Sequence, residues 1–263
     1  MKGKSLFNEY EIKANIRRQL SICKTIKCYK EIASTQTAVK KLAEKGFDEG
    51  IIIVSERQTK GYGRINRTWN SNVGGLWFSM LLKPLIRPDE VPKLTLLLSI
   101  ALNRILERNY KVISQIKWPN DVIIYGKKIA GIIVEISAEQ GATNWIVSGI
   151  GININNELPE DLKDTAISLK DILGTETDMA EFMAVFLIEF EKLYLDFQKN
   201  GFTQFLKEYN DKIAYKNELI TIDNCCSVTI GKNFGIDEDG KLIVKTNNGF
   251  EKMMSGTLRK LEK

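Results

Sequence analysis

No histidine occurs anywhere in the 263 residues, which excludes imidazole general bases, Ser-His and Cys-His nucleophile pairs, and His-ligated zinc or haem. Chemistry in this chain falls to carboxylates, lysines, arginines and backbone amides. One stretch concentrates such groups: Gln58-Thr59-Lys60-Gly61-Tyr62-Gly63-Arg64-Ile65-Asn66-Arg67-Thr68-Trp69. Its glycines let a backbone approach a ligand closely, and its guanidiniums bind phosphate or carboxylate oxygens bidentately. Its indole can stack on a base or cover an apolar ring. This is the makeup of an anion-binding lid, and equally that of a mobile surface loop with solvated charges. It is neither a Walker P-loop, since G-x-x-x-x-G-K-S/T is absent, nor a dinucleotide G-x-G-x-x-G.

A second constellation joins Lys117-Trp118-Pro119-Asn120-Asp121 to Lys127-Lys128-Ile129-Ala130-Gly131. Pro119 interrupts a β ladder just after Lys117, so Asn120 and Asp121 begin the next segment at a bend where side chains can turn toward a ligand. Lys128 opens an otherwise apolar strand, which would aim its ammonium into a partly desolvated cleft; a hairpin end with solvated lysines reads the same way. Gly149-Ile150-Gly151-Ile152-Asn153 ends a strand with two glycines and one amide, a pattern that also marks simple bulges. Ser34-Thr35-Gln36 offers hydroxyls at a helix start. They serve either as an N-cap or, with the free N–H groups there, as a site for a polar ligand.

The elements that must position these groups follow from periodicity. Met1 to Ser21 carries weak helical spacing (Ile12, Ile16, Leu20) and fits one short amphipathic helix. Thr25–Tyr29 reads as a strand, Thr35–Lys45 as a helix stopped by Gly46, and Ile51–Ser55 as a strand buried on both faces. The polar run Glu56 to Gly74 is a loop long enough to be functional, and Gly75–Leu82 returns to strand. A helix over Pro92–Arg108 precedes strands at Gln115–Trp118, Val122–Tyr125, Lys128–Ile136 and Trp145–Ile154. Asp178 is the expected N-cap of a long helix to Gln198, and Phe202–Lys212 suits another. From Glu218 onward, short strands and the hairpin signals Asp239-Gly240 and Asn248-Gly249 indicate a small all-β unit.

Composition bounds the class. Hydrophobic residues make up 43% and charged residues 27%, with only 5 Pro and 19 Gly, so collagenous, disordered and low-complexity chains are excluded. The longest apolar run, Phe182 to Ile188, falls far short of the roughly 20 residues of a bilayer span, and no apolar h-region follows the lysine-rich start. No membrane association and a cytoplasmic location are expected. Cys23, Cys28, Cys225 and Cys226 have neither zinc-knuckle nor disulfide-framework spacing, and read as reduced thiols. A net charge of +5 with dispersed basic residues favours anionic ligands without demanding nucleic acid.

Taken together, these segments resemble the biotin protein ligases, which activate biotin with ATP and attach it to a carrier-protein lysine. The resemblance runs from about Ile22 to the C-terminus. It rests on Ser34-Thr35-Gln36, Gln58 to Trp69, Gly74-Gly75-Leu76-Trp77-Phe78-Ser79, Lys117 to Asp121, Lys128-Ile129-Ala130-Gly131 and Gly149 to Asn153, in the family's order. It implies an α+β fold: a class II synthetase-like mixed sheet with helices on one side, and a small C-terminal SH3-like β-barrel. The corresponding division is a short N-terminal extension at 1–21, a catalytic biotin/ATP-binding domain at 22–214 and the SH3-like domain at 215–263, a form without an N-terminal DNA-binding domain.

The resemblance also implies roles. Ser34, Thr35, Gln36, Gln58, Gly61, Tyr62, Gly63 and Gly131 would form the biotin end, with the backbone from Tyr62 to Arg64 closing over it. Arg64 and Lys128, the implied catalytic pair, would meet the biotin carboxylate and the α-phosphate. Arg67, Trp69, Lys117, Asn120, Asp121 and Asn153 would hold ATP, Trp69 against the adenine, with Asp121 near Mg²⁺ as its metal ligand. Implied partners are biotin, ATP and a biotin carboxyl carrier protein or domain, and a homodimer through sheet edges is compatible. Two positions depart from the family pattern: Gln36 replaces the common Asn and is one methylene longer, and Asn66 replaces a frequent Gly while still tolerating the left-handed bend. Lipoate ligases and octanoyl transferases share the architecture but usually carry an Arg-Arg, a glycine run and a His. A biotin-responsive repressor needs a winged helix-turn-helix of roughly 60 residues ahead of the core.

Overall fold

The computed structural model describes residues 7–261, so the first six residues of the expected N-terminal extension and the last two of the chain lie outside it. A seven-stranded mixed sheet forms the centre, in the order β1-β2-β3-β7-β6-β5-β4. Its strands are β1 (Thr25–Ile32), β2 (Ile51–Gln58), β3 (Leu76–Leu82), β4 (Gln115–Lys117), β5 (Asp121–Ile124), β6 (Lys127–Glu139) and β7 (Ala142–Ile152). Only β1 and β2 pair in parallel, across the crossover helix α2 (Thr35–Glu44); the remaining neighbours are antiparallel. Two turns with consecutive positive φ, Tyr125-Gly126 and Gln140-Gly141, close the β5–β6 and β6–β7 hairpins, the backbone twist that two-residue hairpins need.

Alternation along β2 divides the apolar residues between two faces. Ile52 and Val54 point into the main core with α1 (Glu9–Ile16), α3 (Val91–Tyr110) and α5 (Met179–Asn200), whereas Ile53 joins Leu81, Val147 and the α2 residues Val39 and Ala43. The expected placement of helices on one side therefore holds for α1, α3 and α5, while α2 lies on the opposite face. Phe7, Ile12, Ile16 and Leu20 of the opening segment are buried in the main core, and the Ser21 hydroxyl donates to Glu191 Oε1 of α5 at 2.9 Å. Asp178 caps α5, its carboxylate accepting from the N–H groups of Ala180 and Glu181. The short helix α4 (Leu169–Leu173), closed by a Ser168–Asp171 capping box, was not legible as a helix because five residues carry too little periodicity.

After α6 (Thr203–Lys212), a second sheet of five antiparallel strands has the order β11-β10-β9-β8-β12. They are β8 (Leu219–Asp223), β9 (Val228–Ile236), β10 (Leu242–Thr246), β11 (Gly249–Met253) and β12 (Thr257–Lys260). The buried Trp118, in the turn between β4 and β5, donates its indole N–H to the Gly240 carbonyl at 3.0 Å and so ties the two sheets together. Among the described residues no helix is long and apolar enough to cross a membrane.

Candidate active site

The face of the central sheet that carries α2 is only partly covered by it. Cross-strand register sets Leu81, Val147 and Glu135 in one row, Ser79, Gly149 and Ile133 in the next, and Trp77, Gly151 and Gly131 beyond. The first row packs under α2. The next two lose their side chains to glycine at three positions, which leaves a trough past the N-terminus of the helix. A cavity of about 470 Å³ occupies it. The glycines read above as bulge or strand-end markers are the floor of this trough.

Trp69 lies on that floor. A Cβ at Gly151 would come within 2.5 Å of its Nε1, and one at Gly131 within 2.9 Å of its ring carbon Cζ3. The indole meets Trp77 edge-on with centroids 6.2 Å apart, and Lys128 Nζ stands 4.8 Å over the ring, a cation–π arrangement. Lys128 is itself fixed. Its N–H donates to Thr165 O at 2.8 Å, its carbonyl accepts from Ile167 N at 3.0 Å, and its ammonium lies 2.7 Å from Asp121 Oδ1. A register shift between β5 and β6 falls beside it, as bulges do where a side chain must be re-aimed.

The glycine-arginine stretch forms a hairpin over the trough. Gln58 N donates to Ser71 O, Trp69 N to Gly61 O and Gly63 N to Arg67 O, with a bridge between Tyr62 and Thr68. Gly61 does not line the cavity; it is required because a Cβ would fall 2.6 Å from Ser71 Oγ and 2.8 Å from Trp69 O. The left-handed residue at the loop's bend is Ile65, with φ 56° and ψ 39°, so the bend expected at Asn66 is carried by a β-branched neighbour. Such a residue stays there only where its surroundings hold it. Arg64 reaches inward and donates from Nη1 to Asn120 Oδ1 at 2.9 Å, with Gly256 O at 3.5 Å. Arg67 Nη2 contacts Thr257 Oγ1 at 3.4 Å.

At the helix end, Ser34 is the N-cap and accepts from Thr37 N at 3.3 Å. Gln58 Oε1 accepts from Thr35 N at 2.8 Å and its Nε2 donates to Ser71 Oγ at 2.9 Å, so one side chain links the helix start to the returning arm of the loop. Thr35 Oγ1 lies 2.9 Å from Ser79 Oγ. Asn120 is anchored to Ile132, its Nδ2 donating to that residue's carbonyl at 3.0 Å, and so orients Arg64. Asn153 accepts from Asn156 Nδ2 at 3.1 Å and donates to Lys128 O at 3.4 Å.

Every other sequence-predicted site residue lines the cavity: Ser34, Thr35, Gln36, Gln58, Tyr62, Gly63, Arg64, Arg67, Trp69, Lys117, Asn120, Asp121, Lys128, Gly131 and Asn153; Gly131, expected with the first of these, lies against Trp69 and Lys128. Sequence reasoning read Ser79 as part of the Gly74–Ser79 motif without giving it a place in the site, and missed Thr257 and Arg259, which the second sheet delivers. The cavity holds five basic side chains, Arg64, Arg67, Lys117, Lys128 and Arg259, against the single carboxylate of Asp121. Burial pushes the ionisation of Lys117 down, against Asp121 and together with Lys128, Arg259 and Arg67. Burial likewise lowers Arg64, with Asp121 opposing and Arg67 adding. Gln36 Oε1, Trp69 Nε1 and Asn70 Oδ1 are buried at the cavity without a protein partner, the polar atoms a ligand would satisfy.

Comparison with known proteins fits this geometry. Residues 29–153 match the family described as the biotin/lipoate A/B protein ligase family. The bifunctional ligase/repressor BirA of Bacillus subtilis (strain 168) is 37% identical over 237 residues, covering 86% of this chain and 71% of that protein. Its namesake from Escherichia coli (strain K12) is 27% identical over 219 residues, covering 81% and 68%. Among solved structures, a biotin protein ligase from Aquifex aeolicus in complex with biotin and ATP superposes with a TM-score of 0.81 at 33% identity, covering 90% of this chain and 100% of that one. At such identity and coverage, and with a TM-score of 0.81 to a biotin protein ligase, the chain belongs to the biotin protein ligases of the biotin/lipoate A/B protein ligase family.

Proposed function

We infer that the cavity binds biotin and ATP, joins them as biotinyl-5′-AMP with release of pyrophosphate, and passes the biotinyl group to a lysine of a biotin carboxyl carrier protein or domain. The observation that supports this most is the division of the cavity. Hydroxyl and amide groups of Ser34, Thr35, Gln58 and Gln36 cluster at the helix end, and five cations gather at the other. A neutral cyclic urea needs the first set, and a carboxylate meeting a triphosphate needs the second. Two anions must approach each other before the carboxylate oxygen attacks the α-phosphorus. Lys128 and Arg64, held by Asp121 and Asn120 respectively, are preorganised to offset that repulsion and the charge that develops at phosphorus.

Magnesium fits this site as the companion of ATP. Among the described residues no group of three or more acidic or thiol side chains is gathered to hold a metal, and Asp121, the one carboxylate of the cavity, is already 2.7 Å from Lys128. Phosphate oxygens would supply most of the ligands and Asp121 at most one; the ion would neutralise phosphate charge. In the transfer step the carrier amine forms the amide bond as the acyl–O bond breaks and AMP leaves. A lysine with pKa about 10.4 arrives protonated, and with no histidine in the chain its proton goes to Asp121, to a phosphate oxygen or to water. The reading includes no nucleic acid and no membrane partner, a cytoplasmic site of action, and leaves a homodimer compatible with activity.

Biotin-dependent exchange of radiolabelled pyrophosphate into ATP tests the first step. Exchange with biotin and none with lipoate or octanoate is expected; exchange with lipoate alone would place the chain with the lipoate ligases.

A further inference from the structure

Glu135 sits on β6 opposite Val147, one row outside the cavity floor, and takes no part in the chemistry above. Its Oε2 accepts from two donors on different elements: the Tyr62 hydroxyl of the loop and Gln36 Nε2 of α2, each at 2.9 Å. Lys40, one helical turn beyond Gln36, places its ammonium 3.6 Å from Oε1. Gln36 Nε2 also donates to the Val147 carbonyl at 3.0 Å, so both amide hydrogens are used and the carboxamide has one orientation. Its Oε1 consequently points away, buried and without a protein donor, over Gly149, where a Cβ would come within 2.5 Å of it. Burial, then the bond to Glu135, pushes the Tyr62 phenol up to about 12, so it remains a donor at neutral pH.

The hairpin bonds of the loop fix its shape, not its position on the sheet. Backbone bonds from Thr59 N to Ile32 O and from Lys60 N to Ala33 O hold the base of the loop to the turn before α2; beyond that base its position is set at the nucleotide end by Arg64 on Asn120 and Arg67 on Thr257, and at the biotin end by the Tyr62 hydroxyl on Glu135, with Thr37 as its second partner. We propose that Glu135 is a positioning residue for the ligase reaction: one carboxylate oxygen latches the loop to the sheet through Tyr62 and turns the Gln36 carbonyl toward the biotin end of the cavity. The proposal rests on the reading of the cavity as a biotin and ATP site. Glu135 does not line the cavity, so its effect falls on how long the biotinyl group is held and not on how the phosphorus is attacked.

The test compares wild type with Tyr62→Phe, Glu135→Ala, Glu135→Gln and the Tyr62→Phe/Glu135→Ala double variant. The rate of biotinyl-AMP release, KM for biotin and for ATP, and hydrogen exchange of the 59–68 amides are measured, with thermal melts to confirm folding. Tyr62→Phe is expected to speed release about 10-fold, the equivalent of about 1.4 kcal/mol for one hydrogen bond to a charged group, and Glu135→Ala, which also frees Gln36, by at least as much. Both should raise KM for biotin and leave KM for ATP in place. The double variant should release no faster than Glu135→Ala, because both changes remove the same bond. Glu135→Gln keeps an acceptor oxygen and should stay within about 2-fold of wild type. Release at the wild-type rate by Tyr62→Phe, or multiplication of the two effects in the double variant, would overturn the latch. If wild type forms no biotinyl-AMP, the functional reading fails separately, and ligand-free exchange still decides the latch: faster loop exchange in Tyr62→Phe supports it, and unchanged exchange overturns it.

Discussion

Lys128 and Arg64 both present a cation to the cavity, but they are held by different kinds of backbone, and this separates the effects of losing them. Lys128 is pinned on both sides of its own peptide and paired with Asp121, so Lys128→Ala should cut biotinyl-AMP formation by about 10² or more with a smaller loss of biotin affinity. Arg64 belongs to the loop over the cavity, so Arg64→Ala should also shorten retention of biotinyl-AMP. Single-turnover formation and release of the adenylate measure both; wild-type formation by Lys128→Ala, or wild-type retention by Arg64→Ala, would refute these assignments. The glycine floor gives a second residue-scale test. Gly151→Ala drives a methyl into the Trp69 indole, an overpacking worth about 1–3 kcal/mol. KM for ATP should rise about 10-fold, with a shift in tryptophan emission. Cations of the cavity such as Lys128 and Arg64 were legible as candidates in the sequence because their chemistry is in their type. Gly149 and Gly151 were seen and their purpose was not, because a missing side chain acquires meaning only from cross-strand neighbours such as Gly131 and Trp69.

At the scale of elements, the trough exists because α2 starts late on the sheet. Ser34 caps the helix and Thr35 N is bonded to Gln58 at the end of β2, so the first rows of the sheet past this point remain uncovered. Periodicity located α2, α3 and α5 closely, since each has an apolar stripe several turns long. It placed the end of β2 at Ser55, three residues short, because Glu56, Arg57 and Gln58 are polar while their backbone still pairs with β1 through Gln58. The opening helix was legible, though not its depth in the core. That depth has a consequence for alkaline stability. Burial pushes the Cys23 thiol up to about 11, above the ordinary value of about 8.5. As pH rises through that window the unfolded chain releases its proton and the folded chain does not, so ΔG of unfolding should fall by about 1.4 kcal/mol per pH unit from this group. Urea titrations at several values between pH 8 and pH 11 should show Cys23→Ala losing less stability than wild type; parallel curves would contradict the burial of this segment.

At the scale of the molecule, the site closes only when the second sheet is docked. Trp118 bonded to Gly240, Arg64 beside Gly256 and Arg67 on Thr257 draw the two sheets together at the basic end of the cavity, and Arg259 adds the fifth cation. Sequence periodicity identified that all-β unit but could not see its reach, since nearly 200 positions separate Arg67 from Thr257 and no local pattern encodes such a contact. Arg259→Ala should raise KM for ATP about 10-fold while biotin affinity stays within about 2-fold, a loss on the scale of one charge contact to phosphate. Calorimetry with biotin alone and with ATP alone checks it; equal losses for both ligands would place Arg259 elsewhere in the energetics. The ligase reaction itself is measured most directly as transfer to a carrier. Purified protein is incubated with biotin, ATP, magnesium and a biotin carboxyl carrier domain, and the carrier is weighed by mass spectrometry while AMP is quantified. One biotinyl group on one carrier lysine, with one AMP formed per transfer and no product without ATP, is the predicted result; a carrier that keeps its mass while the protein binds both small molecules would contradict it.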